Sequence, residues 1–408
     1  MPSNATTHVM NTYNRLPVAF SHGQGVWLWD EAGKRYLDAL AGIAVSGLGH
    51  NHPKLVAAIA AQAARVIHTS NLYGIPLQEA LAERICALSG MEEVFFCSSG
   101  AEANEAAIKL ARFYGHHRKE GGIERASIIV MEHAWHGRTM ATLSATGSRK
   151  AQAGFEPLMT GFIRVPYNDT AAVQRVADHE QSVVAVLVEV LQGEGGIHVA
   201  DPAYIAFLRR LCDEKNWLLM IDEVQSGIGR TGAWFAHQSC GIKPDVMTLA
   251  KGLGSGMPIG ACVTSGRAAG LFKPGNHGST FGGGPLACAA GLATLAAMQD
   301  EKLLANAAAM GALIMEGMRN ALKGCAGLIE VRGRGLMIGI ELDRPCGDLV
   351  QQALAAGLLI NVTADRVVRL LPPLIINADE AKQIVAQLAA LIREFLAVAQ
   401  VKTPATAR

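Results

Sequence analysis

VVAVLVEVLQGEGGIHVADPAYIAFLRRLCDEKNWLLMIDE (183–223) decides the fold class. It opens on six uninterrupted apolar residues, VVAVLV (183–188), the pattern of a strand buried on both faces. Asp201 followed by Pro202 marks a helix start, with a side-chain cap and a first-turn proline, so a helix is predicted from Pro202 to Lys215. A second apolar run, WLLMI (217–221), follows at once. Strand, crossover helix and strand in this order make the repeating unit of a parallel sheet. The alternation runs from about Leu55 to Met298, with VFFC (94–97), SIIVM (127–131), VMTLA (246–250) and IGACV (259–263) as further strands. The expected class is α/β: a large unit with a mostly parallel central sheet flanked by helices.

The pattern changes near Asp300. A long Ala/Leu/Met helix is followed by LIEVRG and LMIGIEL, which alternate as strands do. A helix around 347–356, strands within 358–371 and a last helix from Ala378 to about Ala397 complete a smaller α+β unit. The expected division is 55–300 for the large unit and 301–408 for the small one. Residues 1–54, with turn signals around VWLW, are expected to join the latter.

The 408 residues are half hydrophobic, with 36 basic against 35 acidic side chains. Such a balance leaves no footprint for nucleic acid or an anionic membrane and favours small polar substrates. The eight cysteines show no CxxC and no paired spacing, which reads as reduced core residues. No leader-like apolar run opens the chain, and Pro285 to Met298 is too short to span a bilayer. A soluble cytosolic protein is expected. The histidines at 50, 52, 133 and 136 do not form a metal-ligand set, so no metal is expected and structural roles are assigned to them.

SSGAEANEAAIKLARFYG (98–115) follows the strand VFFC directly. Ser99 with Glu102 three residues on forms a capping box, and Ala103, Ala107, Leu110, Ala111 and Tyr114 form one apolar face. A helix starting at Gly100 leaves N–H groups without partners, a site that suits phosphate. Gly100, Ala101 and the Ser99 hydroxyl are the expected donors. An ordinary capped helix is the plainer alternative, since neither a dinucleotide fingerprint nor a Walker A loop is present.

Asp222 comes immediately after one apolar strand, and Lys251 after another. Side chains just beyond the carboxyl ends of strands line the crevice of an open α/β sheet. A buried acid and a buried amine there need partners. A pyridine cofactor supplies both: Asp222 pairs with the protonated ring nitrogen, and Lys251 condenses with the aldehyde. Gln225 lies within reach of the ring hydroxyl, and Val224 offers an apolar surface to a ring face. Taken singly, Asp222 is also readable as a strand-end cap and Lys251 as an exposed loop charge.

These residues resemble the class III (fold type I) aminotransferases, which use pyridoxal 5'-phosphate, and the resemblance covers nearly the whole chain. SSGAEANE, HGRT, QGEGG, DEVQSGIGRTG, LAKGLGSGMPIG and HGSTFGGGPLAC occur in the family's order and spacing. Within the class, AGIAVSGLGHNHPKLV and SNLY look most like acetylornithine aminotransferases. The resemblance implies that Lys251 carries the cofactor and that Ser99, Gly100 and Ala101 hold its phosphate, with Thr280 contributed by the other subunit of a homodimer. Trp135 falls where an aromatic ring, more often Phe, stacks on the pyridine. Arg138 would clamp the substrate carboxylate, and Ser279 matches a substrate-contacting position. Arg369 and Glu194 match a gate: the arginine takes the α-carboxylate of glutamate, and the glutamate masks that charge when an amine end is bound.

The implied reaction moves an amino group from N2-acetylornithine to 2-oxoglutarate. Succinylornithine, ornithine, 4-aminobutyrate and N-succinyl-diaminopimelate are the alternative donors. An aminomutase and a non-enzymatic cofactor-binding protein are the alternatives of other kinds.

Overall fold

The computed structural model describes residues 8–117 and 121–401. Its centre is a seven-stranded sheet of β1 (Glu93–Cys97), β2 (Ser127–Met131), β3 (Phe162–Val165), β4 (Val183–Val188), β5 (Leu218–Asp222), β6 (Val246–Leu249) and β7 (Gly260–Thr264). The spatial order is β1-β7-β6-β5-β4-β2-β3. The predicted βαβ unit is present: β4 and β5 pair in parallel, and between them the helix Pro202–Glu214 starts under the Asp201 cap. β2, β3, β4, β5 and β6 run parallel, whereas β7 is antiparallel to both its neighbours. The α/β class with a mostly parallel sheet therefore stands.

β2, β4, β5, β6 and β7 are buried along their whole length. This burial is why they read as unbroken apolar runs. β3 lies at an edge, and its FIRV sequence, half-exposed, did not stand out.

Beyond residue 300, helix Leu303–Ala321 packs against a second sheet of β8 (Leu328–Arg334), β9 (Met337–Leu342), β10 (Asn361–Thr363) and β11 (Val367–Leu370), in the order β8-β9-β11-β10. Leu358–Leu359 pairs with Leu37–Asp38, closing a sheet with the N-terminal strands Phe20–Gln24, Trp27–Asp30 and Arg35–Asp38. One apolar cluster runs from Phe96 and Leu253 through Leu295 and Ile314 to Ile340 and Leu388, so the two large sheets share a continuous core. Gln225, just past the carboxyl end of β5, thereby meets Arg369 of the second sheet.

Candidate active site

Five chain segments leave the central sheet toward one cavity of about 340 Å³. Its walls include Ser99, Gly100 and Ala101 after β1, Trp135 and His136 after β2, Glu189 after β4, Asp222, Val224 and Gln225 at the end of β5, and Lys251 after β6. Asp222 and Lys251, placed together by the reading of strand ends, do line one space.

Asp222 is almost fully buried. Its Oδ1 accepts the Val224 N–H at 2.9 Å, and its Oδ2 accepts from Asn104 Nδ2 and from His136 Nδ1, each at 2.8 Å. A carboxylate offers about four acceptor sites, so three are used here and one stays open to a ring N–H. Lys251 sits at φ 41°, a left-handed conformation uncommon for a side-chain-bearing residue. Among the described residues no hydrogen bond or ion pair engages its amine. Burial, the largest influence, lowers its pKa, and the neighbouring Arg369 guanidinium acts in the same direction. Glu194, Asp222 and Glu189 act the other way without reversing the shift. A lowered pKa makes the neutral, nucleophilic form of the amine easier to reach.

At the far wall, helix Gly100–His116 begins where the sequence places it, with Ser99 as N-cap. Ser99 Oγ accepts the Glu102 N–H at 3.2 Å. The expected reciprocal bond is altered: the Glu102 carboxylate takes the Ser98 N–H at 3.0 Å and the Ser99 hydroxyl at 2.9 Å instead of the Ser99 N–H. The single hydroxyl hydrogen of Ser99 is thus already used, so a phosphate there draws first on the backbone amides. Among the described residues, the N–H groups of Gly100 and Ala101 bond to no protein acceptor, which fits an anion at this helix terminus. Gly100 is required by close approach, since a Cβ there would lie 2.6 Å from Val224 Cγ1. An amine without a partner, an open lone pair on Asp222 and two free amides suit the aldehyde, the ring nitrogen and the phosphate of pyridoxal phosphate.

Glu194 and Arg369 meet at 2.5 Å, Nη1 to Oε1. Arg369 is fully buried, its Nε bonded to Asn361 Oδ1 at 3.1 Å and its Nη1 to Gln225 Oε1 at 3.2 Å, while Nη2 has no partner. Burial is the largest influence on the Glu194 carboxyl and pushes its pKa up. Arg369, Lys251 and Gln225 together outweigh it and hold the group below its usual value. Gln225, expected at the ring hydroxyl, is engaged with this pair while lining the cavity.

Arg138 stands outside the cavity wall, exposed, with its guanidinium 4.9 Å from the Trp135 ring centre. Ser279 and Thr280 are not brought to the cavity of their own chain. Ser279 Oγ accepts the Gly282 N–H at 3.0 Å, and its carbonyl accepts from Asn71.

Among the lining residues with buried polar side chains, three escaped sequence reasoning: Asn104, His136 and Glu189. Asn104 was legible as the one polar residue on the apolar face of its helix. Glu189 follows an apolar strand as Asp222 does, and the same rule was available for it. His136, given a structural role, in fact pairs with Asp222.

The chain matches the family model for class-III aminotransferases over residues 9–392. It is 64% identical to acetylornithine aminotransferase 1 of Bordetella bronchiseptica, covering 96% of this chain and 98% of that one. Among solved structures, the ornithine aminotransferase of Toxoplasma gondii superposes with a TM-score of 0.92 at 34% identity, over 97% of this chain and 94% of that one. The acetylornithine aminotransferase of Elizabethkingia anophelis gives 0.85 at 35% identity, over 95% and 97%. With its parallel sheet, its buried amine and its strand-end carboxylate around one cavity, the chain belongs to the class-III aminotransferases and takes pyridoxal phosphate as cofactor.

Proposed function

We propose that the protein transfers the side-chain amino group of N2-acetylornithine to 2-oxoglutarate, giving N-acetylglutamate 5-semialdehyde and glutamate. The observation that carries this reading is the pair of Glu194 and buried Arg369, bonded to the cavity-lining Gln225. Two unlike substrates must use one site in turn: a dicarboxylate, and a donor whose reacting end is an amine. A guanidinium that a neighbouring carboxylate can cover or release serves both. The names carried by the relatives support this choice of donor.

When bound, pyridoxal phosphate would supply an aldehyde carbon for the amine and a ring able to take up negative charge. Lys251 Nζ would take a proton from the amine-bearing carbon of the substrate and deliver it to the former aldehyde carbon on the other side of the nitrogen, as base and then acid. Asp222 holds the proton on the ring nitrogen, with His136 and Asn104 fixing its carboxylate. Gly100 and Ala101 grip the phosphate through their amides, and Trp135 and Val224 cover the ring. Arg369 receives the α-carboxylate of glutamate, and Arg138 that of the acylated donor.

We place Ser279 and Thr280 in the site of a second copy, in a homodimer. The same surface carries Leu72, Tyr73 and Phe281, which are 87%, 70% and 68% exposed, and Asn71 ties the two loops together. An apolar group of this kind is suited to burial against another chain. We also propose a cytoplasmic location; among the described residues no helix is long and apolar enough to cross a membrane. The division we adopt is, for the described residues, 55–300 around the central sheet, and 8–54 with 301–401 around the smaller ones; residues 1–7, 118–120 and 402–408 lie outside the described residues.

The test is a panel of amino donors with 2-oxoglutarate, comparing kcat/KM. Acetylornithine is expected to lead succinylornithine, ornithine, 4-aminobutyrate and N-succinyl-diaminopimelate. Fast turnover of unacylated ornithine with none of the acetylated form overturns the choice of donor. Turnover without a keto acid indicates an aminomutase, and a cofactor absorbance that no donor alters indicates a binding protein.

A further inference from the structure

Glu189 is 5% exposed and lines the cavity, yet none of the roles above uses its side chain. It follows β4 directly, and the pairing of Val188 with Ile221 places it beside Asp222 at the adjoining strand end. Among the described residues no cation forms an ion pair with it. A buried carboxylate without a counter-ion is costly unless hydrogen bonds hold it. Two do. Oε2 accepts the N–H of Trp135 at 3.0 Å, and Oε1 accepts the N–H of Gly193 at 3.3 Å.

Those two amides belong to different loops. One carries Trp135, and the other leads into Glu194. Their backbones are pressed together elsewhere as well: Gln192 Nε2 donates to the Glu132 carbonyl at 2.8 Å, and a Cβ on Gly195 would lie 2.7 Å from the His133 carbonyl. From the other side, Arg332 donates to the carbonyls of Gly196 and Ile197. Glu189 is the tie nearest the cavity.

We propose that Glu189 is a positioning residue whose carboxylate fastens the loop carrying Trp135 to the loop carrying Glu194, so that the wall covering the cofactor ring and the glutamate covering Arg369 keep one register. The proposal deepens the functional reading above and rests on it for the role of Glu194. An ionised carboxylate holds both amides more strongly than a protonated one, whose hydroxyl oxygen is the weaker acceptor and whose bonds lose the assistance of charge. Burial, the largest influence, raises the Glu189 pKa to about 7, with His136 acting against the shift and Asp222 with it. Lys251 and the Tyr167 hydroxyl, which donates to the Glu189 carbonyl, also face it. The tie therefore loosens as pH falls through about 7. In that same window the folded chain holds the proton more firmly than the unfolded one. As far as Glu189 is concerned, acidification favours the fold, and loosening of the two loops is separable from global unfolding.

The experiment is amide hydrogen exchange on the holoenzyme, comparing the wild type with Glu189→Gln. Glutamine keeps the shape but presents one acceptor and one donor, so one amide bond is lost. Peptides spanning 132–137 and 192–197 are expected to exchange roughly tenfold faster, the order for one lost charge-assisted bond, while peptides from β5 stay unchanged. The ratio of kcat/KM for glutamate to that for acetylornithine is expected to shift as well. Exchange unchanged in either loop, or raised uniformly along the chain, overturns the proposal. Should the variant not fold, the wild type itself decides. Protection of both loops, corrected for intrinsic rates, is expected to fall between pH 8 and pH 6, and constant protection refutes the tie. This arm needs no substrate, so a wild type inert toward acetylornithine counts against the functional reading alone.

Discussion

Replacing Gly100 by Ala tests the phosphate site at its narrowest point. A Cβ at this position would stand 2.6 Å from Val224 Cγ1 and 3.0 Å from Cγ2. Ordinary carbon contacts are about 3.5–4.0 Å, so about 1 Å must be found. Valine cannot swing clear, because both of its methyls are close and its χ1 is stiff. Gly100 does not have a positive φ, so alanine brings no backbone strain and the effect is steric alone. If the helix start gives way, amide bonds to phosphate near 2.9 Å stretch to about 3.9 Å, beyond hydrogen-bond range. Losing one or two such bonds costs about 2–4 kcal/mol, or roughly 30- to 1000-fold in cofactor affinity. Titrating the apoprotein with pyridoxal phosphate, followed by visible absorbance, measures this. Val224→Ala removes both clashing atoms, so the double variant is expected to recover most of the loss, with a coupling of roughly 1 kcal/mol or more. Wild-type affinity in the single variant, or no recovery in the double one, refutes the reasoning.

Lys251→Ala is expected to abolish the visible absorbance of the protein-linked cofactor together with essentially all turnover; retention of either removes Lys251 from its role. In the apoprotein the lysine's pKa is lowered by burial, so the unfolded chain binds its proton more tightly. Stability is then expected to rise with pH toward the ordinary lysine value, and Lys251→Met flattens that dependence in urea titrations at several pH values. Glu194→Ala leaves Arg369 buried without a carboxylate. Since the Glu194 side chain is 30% exposed and Gln225 and Asn361 remain, we expect the low end of the usual cost, about 3 kcal/mol. Single-turnover absorbance should show the acetylornithine half-reaction slowed and the glutamate half-reaction preserved; equal effects on both refute the gate. Asp222→Asn is expected to retain cofactor binding while lowering kcat by about a hundredfold or more, by analogy with the removal of one preorganised electrostatic partner. Unchanged kcat would show that the ring nitrogen is held elsewhere.

The sequence alone determined what depends on neighbours in the chain. An unbroken apolar run such as VVAVLV favours a buried strand or core segment, and Asp201-Pro202 ahead of an amphipathic stretch favours a helix start. A charged residue at the end of such a strand is placed at the sheet's rim by the strand itself, which is why Asp222 and Lys251 were legible without coordinates. The aminotransferase family was legible for the same reason, through motifs that are contiguous. Tertiary structure decided the rest. An apolar run carries no direction, so nothing in IGACV announced that β7 runs against its neighbours. FIRV at an edge shows no clean pattern, because one side meets solvent. Arg369 in VVRLLPP resembles a surface residue until Glu194, Gln225 and Asn361 close around it. The environment of Asp222 follows the same logic, since Asn104 reaches it from the helix after β1 and His136 from the loop after β2. A buried polar side chain is stable only with its partners. Strand order and register, fixed by the whole core, choose those partners from distant parts of the chain.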